Sequence, residues 1–419
     1  MAEKAGNRWL VMIGALMLQL CLGAVYAWSV FAAELKADFA WSVTETQIVF
    51  SVALATFALV MVWAGKLQDK MGPQKIALVG AGLLGLSYVA SGFMTGNFMW
   101  FLLTLGIGAG AGIGLAYVCP IAALGKWFPD KLGLATGLAV AGFGGGAFFI
   151  SVLSGKGINM IGIQIDLIQL LAKYGLGGTL QIWGIMFLAV GGVGAFLLSN
   201  PPAGWKPEGW VPPAPSAKTA TSEDWERGAM IKTPQFWMLL VMFVFAASAG
   251  LMTIGILKVY GIDSGLAAAA AGTAVGILSI FNGAGRIVWG WLSDKLGRPM
   301  AMALMFFLQA LMMFALIFLG LGSNTTGLAV AAAWIGFMFG GNFALFPAAT
   351  RDFFGIKNYG GNYAMVFLGY GVAGIIGPIL AGQAKDILGS YDMAFIISGV
   401  MCVIAAVLAF LTKAPHHNE

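Results

Sequence analysis

Long apolar segments alternate with short polar or charged turns along this 419-residue chain. Because a helix needs about 20 mostly apolar residues to cross the hydrocarbon core of a bilayer, each long segment predicts one membrane span. The predicted spans are 10–33, 45–65, 75–95, 98–124, 133–155, 178–199, 236–258, 265–292, 299–321, 327–349, 361–383 and 393–412. The pattern predicts an all-α membrane protein with twelve transmembrane helices.

The composition agrees with this pattern. Hydrophobic residues make up 60% of the chain and charged residues 9%, and the mean hydropathy is +0.89. Soluble domains carry roughly 25% charged residues, so a soluble enzyme is excluded and the net charge of +5 does not indicate a nucleic-acid partner. The three cysteines lie in apolar stretches, so no disulfide framework, metal site or cofactor is expected. The two histidines are residues 416 and 417, so no histidine relay is expected within the membrane.

Basic residues are distributed unequally between the two sides of the predicted bundle. With the N-terminus in the cytoplasm, sixteen of the 22 lysines and arginines fall on the cytoplasmic side. The opposite side holds Lys36, Lys156, Lys173, Lys258 and Lys385. Since positively charged loops remain in the cytoplasm, we predict a multi-pass protein of the cell (inner) membrane with both termini cytoplasmic.

Two segments depart from the pattern of apolar spans. Residues 200–234 are rich in proline, glycine and charged residues, which predicts a cytoplasmic linker. Its tryptophans, Trp205, Trp210 and Trp225, lie either at the lipid interface or in a solvated chain. The segment 156–177 is apolar with scattered polar residues, and it fits both a short interfacial helix and an extension of the neighbouring spans.

The two parts of the chain on either side of the linker repeat each other. GKLQDKMGPQK at 65–75 matches GWLSDKLGRPM at 290–300, Pro120 matches Pro347, and GFG at 142–144 matches GYG at 369–371. Glycine-rich runs at 106–114 and 142–146 lie inside spans, so they indicate close helix packing and not a nucleotide-binding loop. The repeat predicts two pseudo-symmetric six-helix bundles, residues 1–199 and 235–419, that rock about a site at their interface.

The repeated loop also points to a family. Residues 65–72 and their partner at 290–298 resemble the cytoplasmic loop motif of the major facilitator superfamily. The resemblance implies gating roles for Asp69 and Lys70 in the first half and for Asp294, Lys295 and Arg298 in the second. The two aspartates would cap or bridge the interface between the halves in one state and release it in the other.

A narrower resemblance is carried by short motifs spread over nearly the whole chain outside the linker and 156–177. GNRW at 6–9, KWFPDKLGLATG at 126–137, KTPQFW at 232–237, FNGAGR at 281–286 and ALFP at 344–347 are similar to the oxalate/formate antiporter family. That family is grouped with the monocarboxylate transporters. The resemblance implies a major facilitator fold and secondary transport of a small carboxylate by alternating access, with no enzymatic activity.

One arginine, Arg286, lies within an apolar segment. Placing an arginine near the centre of a membrane helix costs about 2.5–3.5 kcal/mol on insertion scales, so the residue indicates a function. Its planar guanidinium suits two charge-assisted hydrogen bonds to a carboxylate. Asn282 lies four residues earlier and hence on the same helical face. The resemblance implies that Arg286 matches the substrate-binding arginine, and that a neutral Asn282 stands where monocarboxylate transporters usually have an aspartate.

At Tyr370 this sequence departs from the family that it resembles. Oxalate-type members carry a lysine within the membrane at this position, which gives two cations for a two-carboxylate anion. A single embedded cation favours a monocarboxylate of the lactate or pyruvate class, because burying a second, uncompensated carboxylate costs several kcal/mol in a low-dielectric site. Tyr370 therefore argues against oxalate as the substrate.

The remaining lining of the site follows from the resemblance. The matching positions are Tyr26, Tyr117, Phe143, Phe339, Asn342 and Phe343. Together they would form a small apolar box suited to the short alkyl end of such an acid.

Proton coupling has little support in the sequence. Every aspartate and glutamate lies at a span end or in a loop, and Lys258 and Asp263 are the nearest candidates for proton handling, unless they are an exposed interfacial pair. An alternative mechanism needs no residue that carries the proton. In it, the anion of the acid neutralises Arg286 while a proton accompanies the acid. Symport of a monocarboxylate with a proton is the leading hypothesis. An oxalate/formate-type anion exchanger and a carboxylate sensor that does not translocate its ligand are the alternatives.

Overall fold

The computed structural model describes residues 7–154, 158–160, 163–165, 170–202, 204–209, 224–355 and 358–415. Within these residues, eleven helices are long and apolar enough to cross a membrane. The first half contains α1 Arg8–Phe39, α2 Val43–Met71, α3 Pro73–Ser91, α4 Phe98–Trp127, α5 Leu132–Ser154 and α6 Leu170–Phe196. The second half contains α7 Pro234–Asp263, α8 Ala268–Leu296, α9 Arg298–Phe318, α10 Thr325–Phe354, α11 Tyr359–Leu388 and α12 Asp392–Leu411. The twelfth helix is α5, whose described apolar stretch, Gly137–Ser151, is shorter. The predicted all-α membrane fold is confirmed, with one helix at each predicted span.

Several helices begin at side chains that cap the first backbone N–H groups. Ser42 and Glu45 form a capping box at the start of α2. Thr233 caps α7, and Asn324 caps α10. These polar residues stabilise helix ends outside the apolar spans, which is why several helices are longer than the predicted spans.

The turns after α2 and α8 have the same backbone geometry. Gly72 and Gly297 adopt φ values of 87° and 82°, a region that glycine enters without a steric penalty. Each turn is followed by a proline within the first two positions of the next helix, where its missing N–H costs no hydrogen bond. The loops that the repeat pairs in sequence are thus alike in structure.

Two helix pairs, α2 with α11 and α5 with α8, form most of the contact between the halves. An added Cβ at Gly371 would lie 2.7 Å from Cβ of Ala58, and one at Gly374 would lie 2.6 Å from Cβ of Leu54. Within the first half, an added Cβ at Gly112 would lie 2.6 Å from the backbone nitrogen of Leu84. Glycines therefore bring these helices close together, as predicted for the runs inside spans.

The described residues between α6 and α7 lie at the face where α1 begins and α12 ends. This face is here called the terminal face, and the opposite face is the distal face. The rings of Trp205 and Trp127 are 4.7 Å apart, and the backbone nitrogen of Trp225 donates to the carbonyl oxygen of Phe354 at 3.1 Å. Trp205 thus packs on the first half and Trp225 on the second. Trp210 lies outside the described residues, and the division at residues 1–199, 200–234 and 235–419 stays a prediction.

The described residues of the segment 156–177 form a short pair of strands followed by the start of α6. Strands β1 Ile158–Met160 and β2 Ile163–Ile165 pair in antiparallel fashion. From Leu170 onward the chain belongs to α6, with a break at Gly175, where φ is 64°. Residues 170–177 therefore extend the sixth span, and the described residues before them are extended and not an interfacial helix.

Candidate functional site

Arg286 lies on the side of α8 that faces α5, and only 3% of its surface is exposed. Its Nη1 donates to the backbone carbonyl oxygen of Val140 at 2.7 Å, and its Nε donates to Oδ1 of Asn282 at 3.1 Å. Nη2 is buried and has no partner in the described part of the chain. Among the described residues no carboxylate forms an ion pair with Arg286, so its charge has no counter-ion there and Nη2 is available.

Asn282 occupies the same face of α8 one turn away, as predicted, and it is completely buried. Its Oδ1 accepts the hydrogen bond from Nε of Arg286, and its Nδ2 has no partner among the described residues. A buried polar group without a partner costs roughly 1–3 kcal/mol. Two such donors from neighbouring side chains mark a position where an anionic acceptor would be bound.

The approach of α5 to this pair depends on Gly144. An added Cβ at this position would lie 3.0 Å from Nε of Arg286, Oδ1 of Asn282 and the backbone nitrogen of Gly283. Ser279 on α8 donates its hydroxyl to the carbonyl oxygen of Gly144 at 2.9 Å. Gly144 therefore determines how the guanidinium is placed, a role that sequence reasoning missed because it treated the glycine run only as packing.

Aromatic rings surround the guanidinium. Its central carbon lies 4.2 Å from the ring centre of Phe343 and 5.6 Å from that of Phe143, distances at which a cation is attracted to the ring. The central aromatic box consists of Tyr26, Phe57, Tyr117, Phe143, Phe339, Phe343, Phe367 and Tyr370. Each of these residues is at most 5% exposed, so the site is closed to solvent in this conformation.

Two hydroxyls of the box meet across the interface between the halves. The hydroxyl oxygens of Tyr26 on α1 and Tyr370 on α11 are 3.0 Å apart, and either one can donate. The phenols of Tyr26 and Tyr117 also interact electrostatically with Arg286. The polar groups of the site therefore come from both halves.

The predicted aromatic residues of the site lie together. The rings of Phe143 and Phe339 pack on Tyr26 at 5.2 and 5.6 Å, and the ring of Tyr117 packs on Phe143 at 5.1 Å. Asn342 is buried, but its Nδ2 donates to the carbonyl oxygen of Phe339 on its own helix at 3.0 Å. Its role in binding stays a prediction.

Phe57 and Phe367 are part of the box and were not predicted. The ring of Phe57 lies 5.5 Å from that of Phe367 and 5.7 Å from that of Tyr370. Sequence reasoning took no account of α2 as a lining helix. The spacing of Gly371 and Gly374 could have indicated that α2 contributes to the site, because these glycines form a face of α11 that packs against α2.

Charged residues join the halves at the distal face. Lys258 is only 4% exposed and pairs with Glu34 of α1 at 2.9 Å. Asp263 pairs with Lys36 at 2.6 Å and with Lys385 at 3.3 Å. Lys258 and Asp263 are thus not paired with each other, and each forms an ion pair with α1 of the first half.

The carboxylate of Asp263 accepts a third contact, from the hydroxyl of Tyr391 at 3.2 Å. Burial and the negative charge of Asp263 raise the pKa of Tyr391 above its ordinary value. The phenol therefore stays protonated and continues to donate to Asp263 up to strongly alkaline pH.

The loop-motif residues make contacts within their own halves in this conformation. Arg298 pairs with Asp294 at 2.7 Å and with Asp352 at 2.8 Å. Nζ of Lys295 lies 3.8 Å from the ring centre of Trp291. Asp69 accepts from Nε2 of Gln68 at 2.6 Å, and Lys70 is exposed. Bridging of the interface by the two aspartates stays a prediction for another conformation.

In the described residues, twelve apolar helices, six on each side of the segment 197–233, enclose a buried arginine between them. This arrangement is typical of membrane transporters that are built from two helix bundles. The chain belongs to the Major Facilitator Superfamily, whose family model matches residues 10–360.

Its relatives include transporters of small carboxylates. It is 31% identical to the uncharacterized MFS-type transporter YhjX of Escherichia coli (strain K12), over 88% of this chain and 86% of the relative. It is 28% identical to the oxalate:formate antiporter of Oxalobacter formigenes, over 96% and 91% of the two chains. It is 25% identical to monocarboxylate transporter 12 of Xenopus laevis, over 97% and 89%. The predicted resemblance to this group is confirmed.

Among solved structures, the chain resembles a bacterial homologue of the human lysosomal transporter Spinster in an inward-facing and unoccupied conformation. The TM-score is 0.69 at 17% identity, and 96% of each chain is covered. This likeness supports the fold.

Proposed function

We propose that this protein is a secondary active transporter that carries a small monocarboxylate of the lactate or pyruvate class, together with a proton, across the cell (inner) membrane. The observation that supports this proposal most strongly is the unpartnered Nη2 of Arg286, buried beside the unpartnered Nδ2 of Asn282. A carboxylate placed there accepts charge-assisted hydrogen bonds from both side chains. Since no chemical step is assigned to these groups, the protein acts as a carrier and not as an enzyme.

The charge of the site matches one carboxylate. Within the described residues, Arg286 and Lys258 are the buried cations, and Lys258 is already neutralised by Glu34. Tyr370 offers a neutral hydroxyl where a second cation would be needed for a dicarboxylate. A bound oxalate would thus leave one carboxylate without a counter-charge, at a cost of several kcal/mol.

An anion exchanger is the second candidate, supported by the 28% identity to the oxalate:formate antiporter. It predicts trans-stimulation of labelled oxalate uptake by internal formate. A symporter instead acidifies the interior when a monocarboxylate enters.

The two halves rock about Arg286 in our account, with the terminal face in the cytoplasm. Hydrogen bonds and ion pairs between the halves, in the part of the chain that is described, lie at the depth of the site or nearer the distal face. Gln47, for example, donates its amide to the carbonyl oxygen of Gly255 at 3.1 Å. We infer that this conformation is closed toward the outside and that the ion pairs of Lys258 and Asp263 act as an outer latch.

The proton is not assigned to a dedicated carboxylate, because no aspartate or glutamate is buried among the described residues. The proton moves with the acid, and the anion neutralises Arg286 during the passage. Each unit of pH difference then supplies about 1.4 kcal/mol of driving force.

The first test uses proteoliposomes loaded with a pH-sensitive dye. Pyruvate or L-lactate added outside is expected to produce saturable internal acidification. An imposed inward proton gradient of one pH unit is expected to raise accumulation about tenfold. Uptake that is unchanged when the gradient is collapsed would exclude proton symport, and oxalate uptake driven by internal formate would establish the exchanger.

The outer latch gives a separate prediction. In Glu34→Gln, buried Lys258 loses its partner, so the outward-closed conformation is destabilised. Ser51 lies on α2, one turn further inward than Gln47, and is 2% exposed. A cysteine at this position reports opening of the outer side. An impermeant maleimide added outside is expected to label Ser51→Cys about tenfold faster in the Glu34→Gln background.

Glu45→Gln is the matched control for the latch, because Glu45 belongs to the local capping box of α2. The native cysteines are buried and contribute a low background. Equal labelling rates in Glu34→Gln and Glu45→Gln would show that the ion pair does not hold the outer side closed.

A further inference from the structure

The hydroxyl groups of Tyr26 and Tyr370 form a buried hydrogen-bonded pair that keeps one unused O–H. The two oxygens are 3.0 Å apart, and at most 1% of either residue is exposed. Two phenols carry two hydroxyl hydrogens, and the bond between them uses one. The pair is left with one O–H to donate inside a closed, mostly aromatic site.

The pair donates no other hydrogen bond to a described residue. The rings of Phe143 and Phe339 pack on Tyr26, and the rings of Phe343 and Phe367 pack on Tyr370 at 5.5 and 4.9 Å. The nearby charged group is Arg286, which has only donors. Polar hydrogens on Nη2 of Arg286, on Nδ2 of Asn282 and on the tyrosine pair are therefore available to acceptors on a ligand.

We propose that the Tyr26–Tyr370 pair selects acids that carry an oxygen on the carbon next to the carboxylate. The inference rests on the proposed function, in which Arg286 and Asn282 bind the carboxylate. That carbon is one bond from the carboxylate, and an oxygen on it accepts the remaining O–H of the pair. Acetate and propionate have no such oxygen, so they leave the buried hydroxyl unpaired, and a site built to hydrogen-bond a group discriminates strongly against analogues that lack it.

The same count of donors and acceptors applies to both kinds of substituted acid. A 2-oxo oxygen has only lone pairs and accepts the remaining O–H of the pair. A 2-hydroxy oxygen accepts it as well, and its own hydrogen can be donated to a lone pair that remains on a phenol oxygen. We therefore expect 2-oxo and 2-hydroxy acids to be preferred over unsubstituted acids.

The test compares labelled pyruvate, L-lactate and propionate in proteoliposomes containing the wild type, Tyr370→Phe, Tyr26→Phe or Tyr88→Phe. Tyr88 is a buried tyrosine of α3 that packs on Phe187 at 4.9 Å and controls for loss of a buried hydroxyl elsewhere. The wild type is expected to transport pyruvate with a kcat/KM at least about tenfold above that for propionate. Tyr370→Phe and Tyr26→Phe are each expected to bring the ratio close to one, because kcat/KM falls more for pyruvate than for propionate.

The ratio separates selection from a structural role. If the pair only holds the halves together, kcat/KM for pyruvate and for propionate falls in parallel and the ratio stays at the wild-type value, which overturns the inference. A wild type that does not discriminate between the two acids overturns it as well. If the wild type moves none of the three acids, the proposed function itself is wrong and the inference falls with it.

Discussion

Replacing Arg286 with glutamine is expected to lower kcat/KM for monocarboxylate transport by about 100-fold or more. The substitution removes the proposed charge-assisted hydrogen bond from Arg286 to the substrate carboxylate, which contributes about 1.5–3 kcal/mol, and it also leaves the buried carboxylate without a counter-charge. Arg286→Lys keeps the charge but loses the planar fork, so it is expected to retain a few per cent of the rate. Initial rates of labelled pyruvate uptake in proteoliposomes measure both variants.

The control for this series is Arg351→Gln, which removes an exposed arginine at the terminal face. Thermal unfolding of each purified variant separates loss of transport from loss of folding. Arg286→Gln removes a buried charge that lacks a carboxylate partner, so its melting temperature is not expected to fall. Wild-type rates in a folded Arg286→Gln protein would remove this residue from the transport mechanism.

Gly144→Val is expected to reduce transport by about tenfold or more without adding or removing any charge. A side chain at this position displaces Nε of Arg286 or Oδ1 of Asn282, which would lie 3.0 Å from the added Cβ. Small errors in the position of a substrate-binding group carry large kinetic costs. Uptake of labelled pyruvate as a function of its concentration measures the effect on kcat and KM.

The neighbouring glycine provides the matched control. An added Cβ at Gly145 has no heavy atom within 4 Å, so Gly145→Val tests the same loss of glycine in the same helix. Its transport rate is expected to stay within about twofold of the wild type. Equal losses in both variants would mean that α5 tolerates no side chain here for reasons of helix packing, and that Gly144 does not position Arg286.

The sequence was sufficient to predict the spans, the repeat and the buried arginine, because each depends on local hydrophobicity or on motifs within one helix. Arg286 and Asn282 share a face through helical periodicity alone. The contact of Gly144 with that face and the place of Phe57 depend on how the halves meet, which periodicity does not determine.

The distal face shows the same limit. From sequence, Lys258 and Asp263 at the end of the seventh span are candidates for proton handling, with an exposed interfacial pair as the alternative. The structure pairs them separately, with Glu34 and Lys36 of α1. Ion-pair partners more than 220 residues away are set by the packing of one half against the other.

Ligand-dependent thermal stabilisation of the purified protein tests directly, and independently of coupling, whether Arg286 binds one carboxylate. A ligand that binds only the folded state stabilises it by RT ln(1 + [L]/Kd), so the unfolding temperature rises with the ligand's concentration and affinity. Pyruvate is expected to stabilise the wild type in a concentration-dependent manner, oxalate to stabilise it much less, and neither to stabilise Arg286→Gln. Stronger stabilisation by oxalate than by pyruvate, or equal stabilisation of Arg286→Gln and wild type by pyruvate, would contradict the account.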